Sequence, residues 1–243
     1  NINKDEFLII KDFDPKICIY LAYEGIPDYS LKNSKFNYFL AVKFFNKIKK
    51  LNLDKIICTG TCWEYDNIIG KKNEKNSKLN SLNYFPHYKI KLYRYLLENF
   101  KSTNIIWCRL FFVYGFNRNN KLTLTNTLIN AFKKKRLLKI NNLNTKCDFI
   151  YVKNVAYIIF KIVNNINHNK IINIGSGKLL SIKSFILKFE KYFKYKFQIE
   201  NQNISSNFDK IFADNCFQKK IAKKLPYSFD SSIKDILINQ NDR

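Results

Sequence analysis

Short apolar runs alternate along the chain with longer segments in which apolar residues recur at helical spacing. Continuous apolar runs over 16–22, 55–59 and 104–110 are typical of strands buried on both faces. Between them, apolar residues three and four apart predict one helix over about 34–51 and another over about 86–100. The segment between the second run and Asn83 is polar and rich in lysine, and we predict a loop there.

The order strand, helix, strand, helix, strand predicts a parallel sheet with right-handed crossovers. The later segments are shorter: helices are predicted over 122–135, 155–164 and 182–193, and extended chain over 147–152 and 171–174. We therefore predict an α/β fold, with a doubly wound parallel sheet and a smaller C-terminal α/β lobe. The predicted domains are 1–115 and 116–243, with a return to the sheet near 147–175.

Composition narrows the classes of protein. Of the 243 residues, 46% are apolar and 16% aromatic, which supplies a core and excludes a disordered chain. The net charge of +24 suggests a nucleic-acid partner, but the lysines are scattered, and the tightest run, 133–136, ends a predicted helix where cations suit the dipole. We therefore expect no nucleic-acid partner. Because no apolar stretch reaches the length of about 18 residues typical of a transmembrane helix, we also expect no membrane partner.

The six cysteines indicate a reducing compartment rather than a metal site. Four of them, Cys18, Cys58, Cys108 and Cys147, lie in or beside apolar runs, where cysteines are usually reduced core residues. Cys58 and Cys62 are four residues apart, but no second Cys/His pair follows them. We predict a cytoplasmic protein without a metal site.

Candidate chemistry first emerges at the end of the second predicted strand. Thr59 and Thr61 place two hydroxyls at the carboxyl end of a parallel strand, where open α/β sheets bind ligands. The alternative is that these threonines only cap the strand.

Five further segments carry a family resemblance, and they occur in the family's order. Residues 19–22 are similar to the signature hydrophobic-His-Leu-Ala, 59–66 to Ser-Ser-…-Val-Tyr-Gly, 109–115 to Arg-…-Phe-Asn-Val-Tyr-Gly, 148–156 to Asp-Phe-Ile-Tyr-Val-Asp-Asp-Val-Ala, and 173–182 to Asn-Ile-Gly-Ser-Gly…Ser-Ile. Together they resemble the extended short-chain dehydrogenase/reductase family, in its NAD-dependent epimerase/dehydratase group. The resemblance implies a Rossmann-like dinucleotide-binding domain, NAD or NADP as cofactor, and a nucleotide-linked sugar as substrate.

The resemblance also implies roles for individual residues. Thr61 falls where the family has its catalytic Ser/Thr, and in one of two possible registers Lys89 falls where it has the lysine that holds the cofactor ribose. Other positions fall on family contacts to the cofactor, namely Leu21, Ala22, Thr59 and Phe111, or to the substrate, namely Glu24, Cys62, Trp63, Phe112, Lys146 and Cys147. Residues 24–30 together with 62–65 resemble members encoded with bacterial surface-polysaccharide genes, including O-antigen-type deoxysugar 4-keto reductases and epimerases. Family members often form homodimers through a four-helix contact.

The chain departs from the family at its acid/base pair, a Tyr followed four residues later by a Lys. No Tyr here has a Lys at that spacing. If Lys89 is the family's Lys, Phe85 occupies the Tyr position, and this register needs the shorter deletion. If Lys91 is, His87 occupies it. Tyr84, Tyr88 or His87 could substitute in proton transfer, or these aromatic residues could simply pack the start of the helix.

Other departures bear on function. Cys147 replaces a family Arg that binds the substrate diphosphate, and Phe112 replaces an Asn. There is no glycine-rich turn before 19–22, and the chain begins at Asn1 without Met, so we expect a fragment with weakened or lost NAD(P) binding and an exposed sheet edge. The sequence predicts an NAD(P)-dependent nucleotide-sugar epimerase, dehydratase or 4-keto reductase. The alternative is a catalytically degenerate member that acts as a binding or scaffold protein.

Overall fold

A computed structural model describes residues 4–66, 69–75, 77–79, 83–116, 123–204 and 210–240. The chain divides into two compact units. Unit 1 comprises Asn1–Asn67, Glu74–Leu110 and Ile162–Asn173, and unit 2 comprises Ile68–Asn73, Phe111–Lys161 and Ile174–Arg243. The functional domains predicted from the sequence, 1–115 and 116–243, stay a prediction.

The elements follow one another along the chain in an α/β order. The helices are α1 (Lys4–Phe13), α2 (Leu31–Ile48), α3 (Tyr84–Asn99), α4 (Leu124–Lys134), α5 (Val152–Asn165), α6 (Ile182–Phe193), α7 (Cys216–Ile221) and α8 (Phe229–Asn239). The strands are β1 (Ile17–Tyr20), β2 (Lys55–Thr61), β3 (Gly70–Lys72), β4 (Asn104–Leu110), β5 (Phe112–Tyr114), β6 (Leu138–Ile140), β7 (Lys146–Cys147), β8 (Phe149–Tyr151), β9 (Lys170–Ile174), β10 (Leu180–Ser181), β11 (Ile199–Asn201) and β12 (Ile211–Ala213). A 3-10 helix, Cys62–Glu64, follows β2 directly.

The sheet of unit 1 has the strand order β1-β2-β4-β9. β2 pairs in parallel with β1 on one side and with β4 on the other, and Gly60 lies opposite Arg109 in that second pairing. All seven residues of β2 are buried, as its continuous apolar run predicted. This parallel α/β arrangement confirms the predicted fold class.

The prediction that the first apolar run is buried on both faces is wrong. β1 covers only four residues, and the side chains of Ile17 and Ile19 are 37% and 45% exposed. Among the described residues β1 pairs only with β2, so it lies at an edge where its side chains are covered on one side. A run of apolar residues alone does not distinguish an edge strand from a central one.

Helix α2 begins three residues before the predicted start. The Ser30 side chain accepts a hydrogen bond from the Asn33 amide at 3.3 Å, which caps the helix at its N-terminus. The buried face of α2, with Ala41, Phe45 and Ile48, packs into a core that also holds Leu96 and Trp107. Two aromatic residues of the predicted stripe, Phe36 and Phe39, are instead 48% and 55% exposed.

The described residues of unit 2 form three small sheets and an aromatic core. β5 pairs with β8 and β6 with β11, both in parallel, and the third sheet has the order β10-β7-β12-β3. Tyr114, Phe185 and Phe189 are buried at the centre of the core. The prediction of a loop before Asn83 is wrong at β3, because Gly70–Lys72 pair with β12, which is distant in the sequence. A strand of three residues gives no periodic pattern that the sequence analysis could detect.

Helix α5 begins at Val152, earlier than predicted, whereas β4 and α6 have the predicted bounds. Cys58, Cys62, Cys108 and Cys147 are buried, Cys216 is exposed, and Cys18 is intermediate. Within the described ranges, no group of three or more His, Cys, Asp and Glu side chains is placed to hold a metal ion. No described helix has both the length and the apolar character needed to cross a bilayer.

Candidate active site

The carboxyl end of β2 turns directly into the 3-10 helix, and Thr61 caps that turn. The Thr61 Oγ1 atom accepts a hydrogen bond from the Trp63 amide at 3.3 Å, and Glu64 Oε1 accepts one from the Thr61 amide at 2.9 Å. This reciprocal arrangement is a capping box. Thr61 therefore caps the 3-10 helix. Whether its hydroxyl also takes part in chemistry stays a prediction. A hydroxyl that accepts one hydrogen bond keeps its own proton to donate to another group.

Glu64 is a buried carboxylate that the sequence analysis did not identify. Its side chain is 1% exposed and forms an ion pair with Arg109, with Nε 2.8 Å from Oε2. Trp107 Nε1 lies 3.0 Å and 3.1 Å from its two oxygens. The spacing of Thr61 and Glu64 was the signal available in the sequence, since a capping box has this spacing.

Arg109 lies between this carboxylate and a second polar group, formed by Tyr65 and Asn173. Its guanidinium lies 4.7 Å from the centre of the Tyr65 ring, and the Tyr65 hydroxyl donates to Asn173 Oδ1 at 2.7 Å. Burial lowers the pKa of Arg109, but the charges of Glu64 and Tyr65 and hydrogen bonds to both raise it above its ordinary value overall. Arg109 is therefore a permanent buried cation.

Lys89 reaches the same end of β2 from α3. Its Nζ atom donates a hydrogen bond to the Thr59 carbonyl at 2.8 Å, and the residue is 8% exposed. The ammonium also lies 5.1 Å from the centre of the Tyr23 ring. Burial lowers the pKa of Lys89, because it removes the water that stabilises the charge. The structure thus brings Thr59, Thr61 and Lys89 to one strand end.

The residues of the other register lie elsewhere on α3. Lys91 Nζ lies 5.0 Å from the ring centre of Tyr38 and 5.9 Å from that of Tyr88. His87 is exposed and packs its ring edge-on against Tyr88. Tyr84 is 52% exposed. Lys89 rather than Lys91 therefore donates to the Thr59 carbonyl, and the register of the family's Tyr and Lys stays a prediction.

Phe85 lies in an aromatic cage, defined here as Tyr23, Tyr29, Trp63 and Phe85. The ring centres of Tyr23, Tyr29 and Trp63 are 5.1 Å, 4.7 Å and 5.7 Å from that of Phe85. Burial raises the pKa of both tyrosines. The sequence analysis missed both as site residues, although Tyr29 belongs to the segment 24–30 that carried the local resemblance.

The predicted residues after β1 are exposed. Leu21 is 53% exposed, and Ala22 and Glu24 are exposed too. The backbone of Glu24 is fixed by α2: its amide donates to Asn37 Oδ1 at 2.7 Å, and its carbonyl accepts from Asn33 Nδ2 at 3.0 Å. Ala22 and Glu24 line an open cavity of about 700 Å³ together with residues of α1 and α2.

Four predicted site residues belong to unit 2. Phe111 is 4% exposed, and the Phe112 amide donates to the Asp148 carbonyl at 3.0 Å. On β7, Lys146 is exposed whereas Cys147 is 3% exposed. The cofactor and substrate roles of these residues stay predictions.

Asp148 is a second buried carboxylate, and it lies in unit 2. It accepts hydrogen bonds from the Ser176 amide at 2.7 Å, the Ser176 hydroxyl at 2.5 Å, the Gly177 amide at 2.9 Å and the Ala213 amide at 3.0 Å. Burial raises the pKa of Asp148 and outweighs the lowering effect of these donors. The Asp148 carboxylate thereby links the turn that follows β9 with strand β12.

Comparison with known proteins identifies the family. The sequence model of the NAD dependent epimerase/dehydratase family matches residues 5–175. The chain belongs to this family. The resemblance to the extended short-chain dehydrogenase/reductases is thereby confirmed. A search of characterised protein sequences found no significant match.

Solved structures of similar fold cover nearly the whole chain. UDP-glucuronic acid 4-epimerase from Bacillus cereus, solved with UDP-glucuronic acid and NAD, is 19% identical with a TM-score of 0.83, over 98% of this chain and 79% of that one. RMD from Pseudomonas aeruginosa, solved with NADPH, is 12% identical with a TM-score of 0.82, over 98% and 85%. UDP-glucose 4-epimerase from Thermotoga maritima is 13% identical with a TM-score of 0.83, over 97% and 81%. At these identities the likeness shows the Rossmann fold.

Proposed function

We propose that the protein acts on a nucleotide-linked sugar with NAD or NADP, as an epimerase, a dehydratase or a 4-keto reductase. The observation that carries this proposal is the placement of Lys89 on the Thr59 carbonyl, at the strand end where Thr61 presents its hydroxyl. Family membership and the nucleotide-sugar ligands of similar structures support it.

The donors at this strand end fit the ribose of a dinucleotide. An ammonium has three donors, and Lys89 uses one of them on the Thr59 carbonyl. The others suit ribose hydroxyls, and the exposed side chains of Leu21 and Ala22 suit an apolar contact with the cofactor. A bound nicotinamide supplies or accepts the hydride. The Thr61 hydroxyl then donates a hydrogen bond to the sugar oxygen that changes oxidation state.

Proton transfer falls to the tyrosines of the aromatic cage, because Phe85 has no hydroxyl. Tyr29 and Tyr23 are the phenols packed against Phe85. A phenol is protonated at neutral pH and can donate to a developing alkoxide. Because burial raises the pKa of both, each is a weaker acid than a free phenol and is a poor general base at neutral pH. Donation is the proton step of ketone reduction, so this arrangement supports the 4-keto reductase outcome.

The proposal also covers the pathway, the cellular location and the oligomeric state. The resemblance of 24–30 and 62–65 to polysaccharide-linked members supports a role in surface-polysaccharide sugar synthesis, and the free cysteines support a cytoplasmic location. A homodimer remains part of the proposal.

The test is turnover of nucleotide sugars and their 4-keto derivatives with NAD(H) and NADP(H), in the longest natural form of the protein. We expect Thr61→Ala to lower kcat by about 10²-fold or more, and Lys89→Met to raise the cofactor KM as well. Lys91→Met decides the register, because it should leave both constants close to wild type. If Lys91→Met abolishes turnover and Lys89→Met does not, the register with His87 is correct instead.

The second candidate is a binding or scaffold protein without catalysis, and the missing hydroxyl at Phe85 favours it. Turnover by the wild type and by Tyr23→Phe/Tyr29→Phe separates the two candidates. An enzyme that relies on Tyr23 or Tyr29 turns over as the wild type and loses activity in the double variant. A scaffold binds nucleotide sugar without turnover, and this binding persists in Thr61→Ala.

A further inference from the structure

The buried ion pair of Glu64 and Arg109 is poorly suited to stabilise the fold. Both side chains are 1% exposed, so both charges lose their hydration. A buried pair of this kind is often no more stable than two apolar residues of similar volume. In addition, Arg109 Nη1 is buried and has no hydrogen-bond partner among the described residues. The ion pair alone is therefore a weak reason for the fold to keep Glu64, whose other hydrogen bonds are with Thr61 and Trp107.

Glu64 holds the residue that carries the candidate catalytic hydroxyl. Its Oε1 atom accepts the Thr61 amide, while Trp107 and Arg109, both on β4, bind the carboxylate from the other side. The carboxylate therefore connects the ends of two neighbouring strands. Thr61 cannot shift along β2 or rotate at its amide without breaking this bond.

The space for the carboxylate is provided by Gly60. A Cβ atom at this position would lie 2.2 Å from Trp107 Nε1 and 2.3 Å from Glu64 Oε1. Real Cβ atoms do not approach so closely, so Gly60 and Glu64 depend on each other sterically.

We propose that Glu64 is a positioning residue that fixes the Thr61 hydroxyl at the end of β2. Its carboxylate is 1% exposed and bound by Thr61, Trp107 and Arg109, so we assign its effect to Thr61. Its catalytic meaning rests on the proposed function, but its effect on Thr61 can be measured without turnover.

Three variants distinguish the effect of the position of the Glu64 carboxylate from the effects of its charge and of a general loss of stability. Glu64→Asp keeps the charge but withdraws it by one methylene, whereas Glu64→Gln keeps the length and an oxygen acceptor. Lys55→Met is the matched control at the other end of β2: Lys55 is 4% exposed, and its Nζ atom donates to the Val163 carbonyl at 2.5 Å. It removes a buried charge from the same strand without touching Thr61.

The first measurement is amide hydrogen exchange at Thr61 by NMR, which needs no substrate. We expect exchange about tenfold faster in Glu64→Asp, relative to other β2 amides, and close to wild type in Glu64→Gln and Lys55→Met. Unchanged exchange in Glu64→Asp, or equal acceleration in Lys55→Met, would overturn the proposal. If Glu64→Asp does not fold, protection of Thr61 in Glu64→Gln decides it, since loss of protection there would also refute an acceptor role.

The second measurement is steady-state kinetics. Glu64→Asp should lower kcat by about tenfold to 100-fold with the cofactor KM within about threefold. In the Thr61→Ala background the same substitution should have no further effect, because it acts through Thr61. Additive losses would contradict this. An inactive wild type would refute the proposed function alone, and hydrogen exchange would still decide the role of Glu64.

Discussion

Glu64 in unit 1 and Asp148 in unit 2 are both buried carboxylates, but they are satisfied in different ways. Glu64 has a cationic partner, Arg109, and two further donors. Asp148 is 0% exposed and accepts from three backbone amides and one hydroxyl, all of them neutral donors. Burial of a charge is tolerated only when such partners replace water.

The two carboxylates share one steric feature. Each occupies space that a glycine leaves open: a Cβ atom on Gly60 would lie 2.3 Å from Glu64 Oε1, and one on Gly175 would lie 2.6 Å from Asp148 Oδ2. The difference in partners has a functional consequence. Asp148 links the turn at Ser176 and Gly177 to Ala213 on β12, whereas Glu64 fixes the residue whose hydroxyl we assign to chemistry.

Removing the cation should have the largest effect on stability. Arg109→Leu leaves Glu64 buried without its counter-ion, and we expect the free energy of unfolding to fall by about 3–5 kcal/mol. Glu64→Leu/Arg109→Leu should recover part of this loss, because no charge then remains buried. Urea unfolding measures both. A double variant less stable than Arg109→Leu would show that the pair itself stabilises the fold.

Asp148→Asn tests the other carboxylate and should lower the free energy of unfolding by about 2 kcal/mol, because an amide nitrogen then faces backbone donors. Asp14→Asn is the control: this aspartate is exposed and pairs with Lys16, so the change should cost less than about 0.5 kcal/mol. A cost at Asp148 no larger than that at Asp14 would contradict a structural role for the four donors.

Asp148 should also make the free energy of unfolding depend on pH, and the Asp148→Asn variant should lack this dependence. Burial raises the pKa of Asp148 above its ordinary value of 3.8. Between pH 3.8 and the raised pKa of the folded state, the folded protein therefore binds more protons than the unfolded chain. The contribution of this group to stability is therefore present below pH 3.8 and is lost as the pH rises through the folded pKa. Urea unfolding of the wild type across this interval should show the loss, and Asp148→Asn should not. An identical pH dependence in both proteins would contradict the shift.

The sequence predicted the central strands because their burial is a local property. β2 and β4 are continuous apolar runs, and they are buried as such runs predict. The edge position of β1 and the pairing of β3 with β12 depend on which strands become neighbours, and no local pattern contains this information.

The candidate site likewise has residues that the sequence predicts and residues that only tertiary contacts bring together. Thr61 and Lys89 follow from motif positions, and the Thr61–Glu64 spacing was visible in the sequence. The partners Trp107 and Arg109 reach Glu64 only through the register of β2 and β4, in which Gly60 lies opposite Arg109. Tyr23 and Tyr29 reach Phe85 because the chain after β1 folds back over α3, which no spacing rule predicts.

The smallest effect we expect is a difference in rescue between the two glycines, and it sharpens the comparison most. Gly60→Ala forces Trp107 and Glu64 to move and should cost about 2 kcal/mol in urea unfolding. In a Glu64→Ala background that cost should shrink, because one of the two obstructing side chains is gone. Gly175→Ala should show more such rescue by Asp148→Ala, since the approach that remains there is 2.8 Å to the Ala213 Cβ atom, whereas at Gly60 it is 2.2 Å to Trp107 Nε1. Equal rescue at both sites would mean that the carboxylate, and not its surroundings, sets the need for glycine.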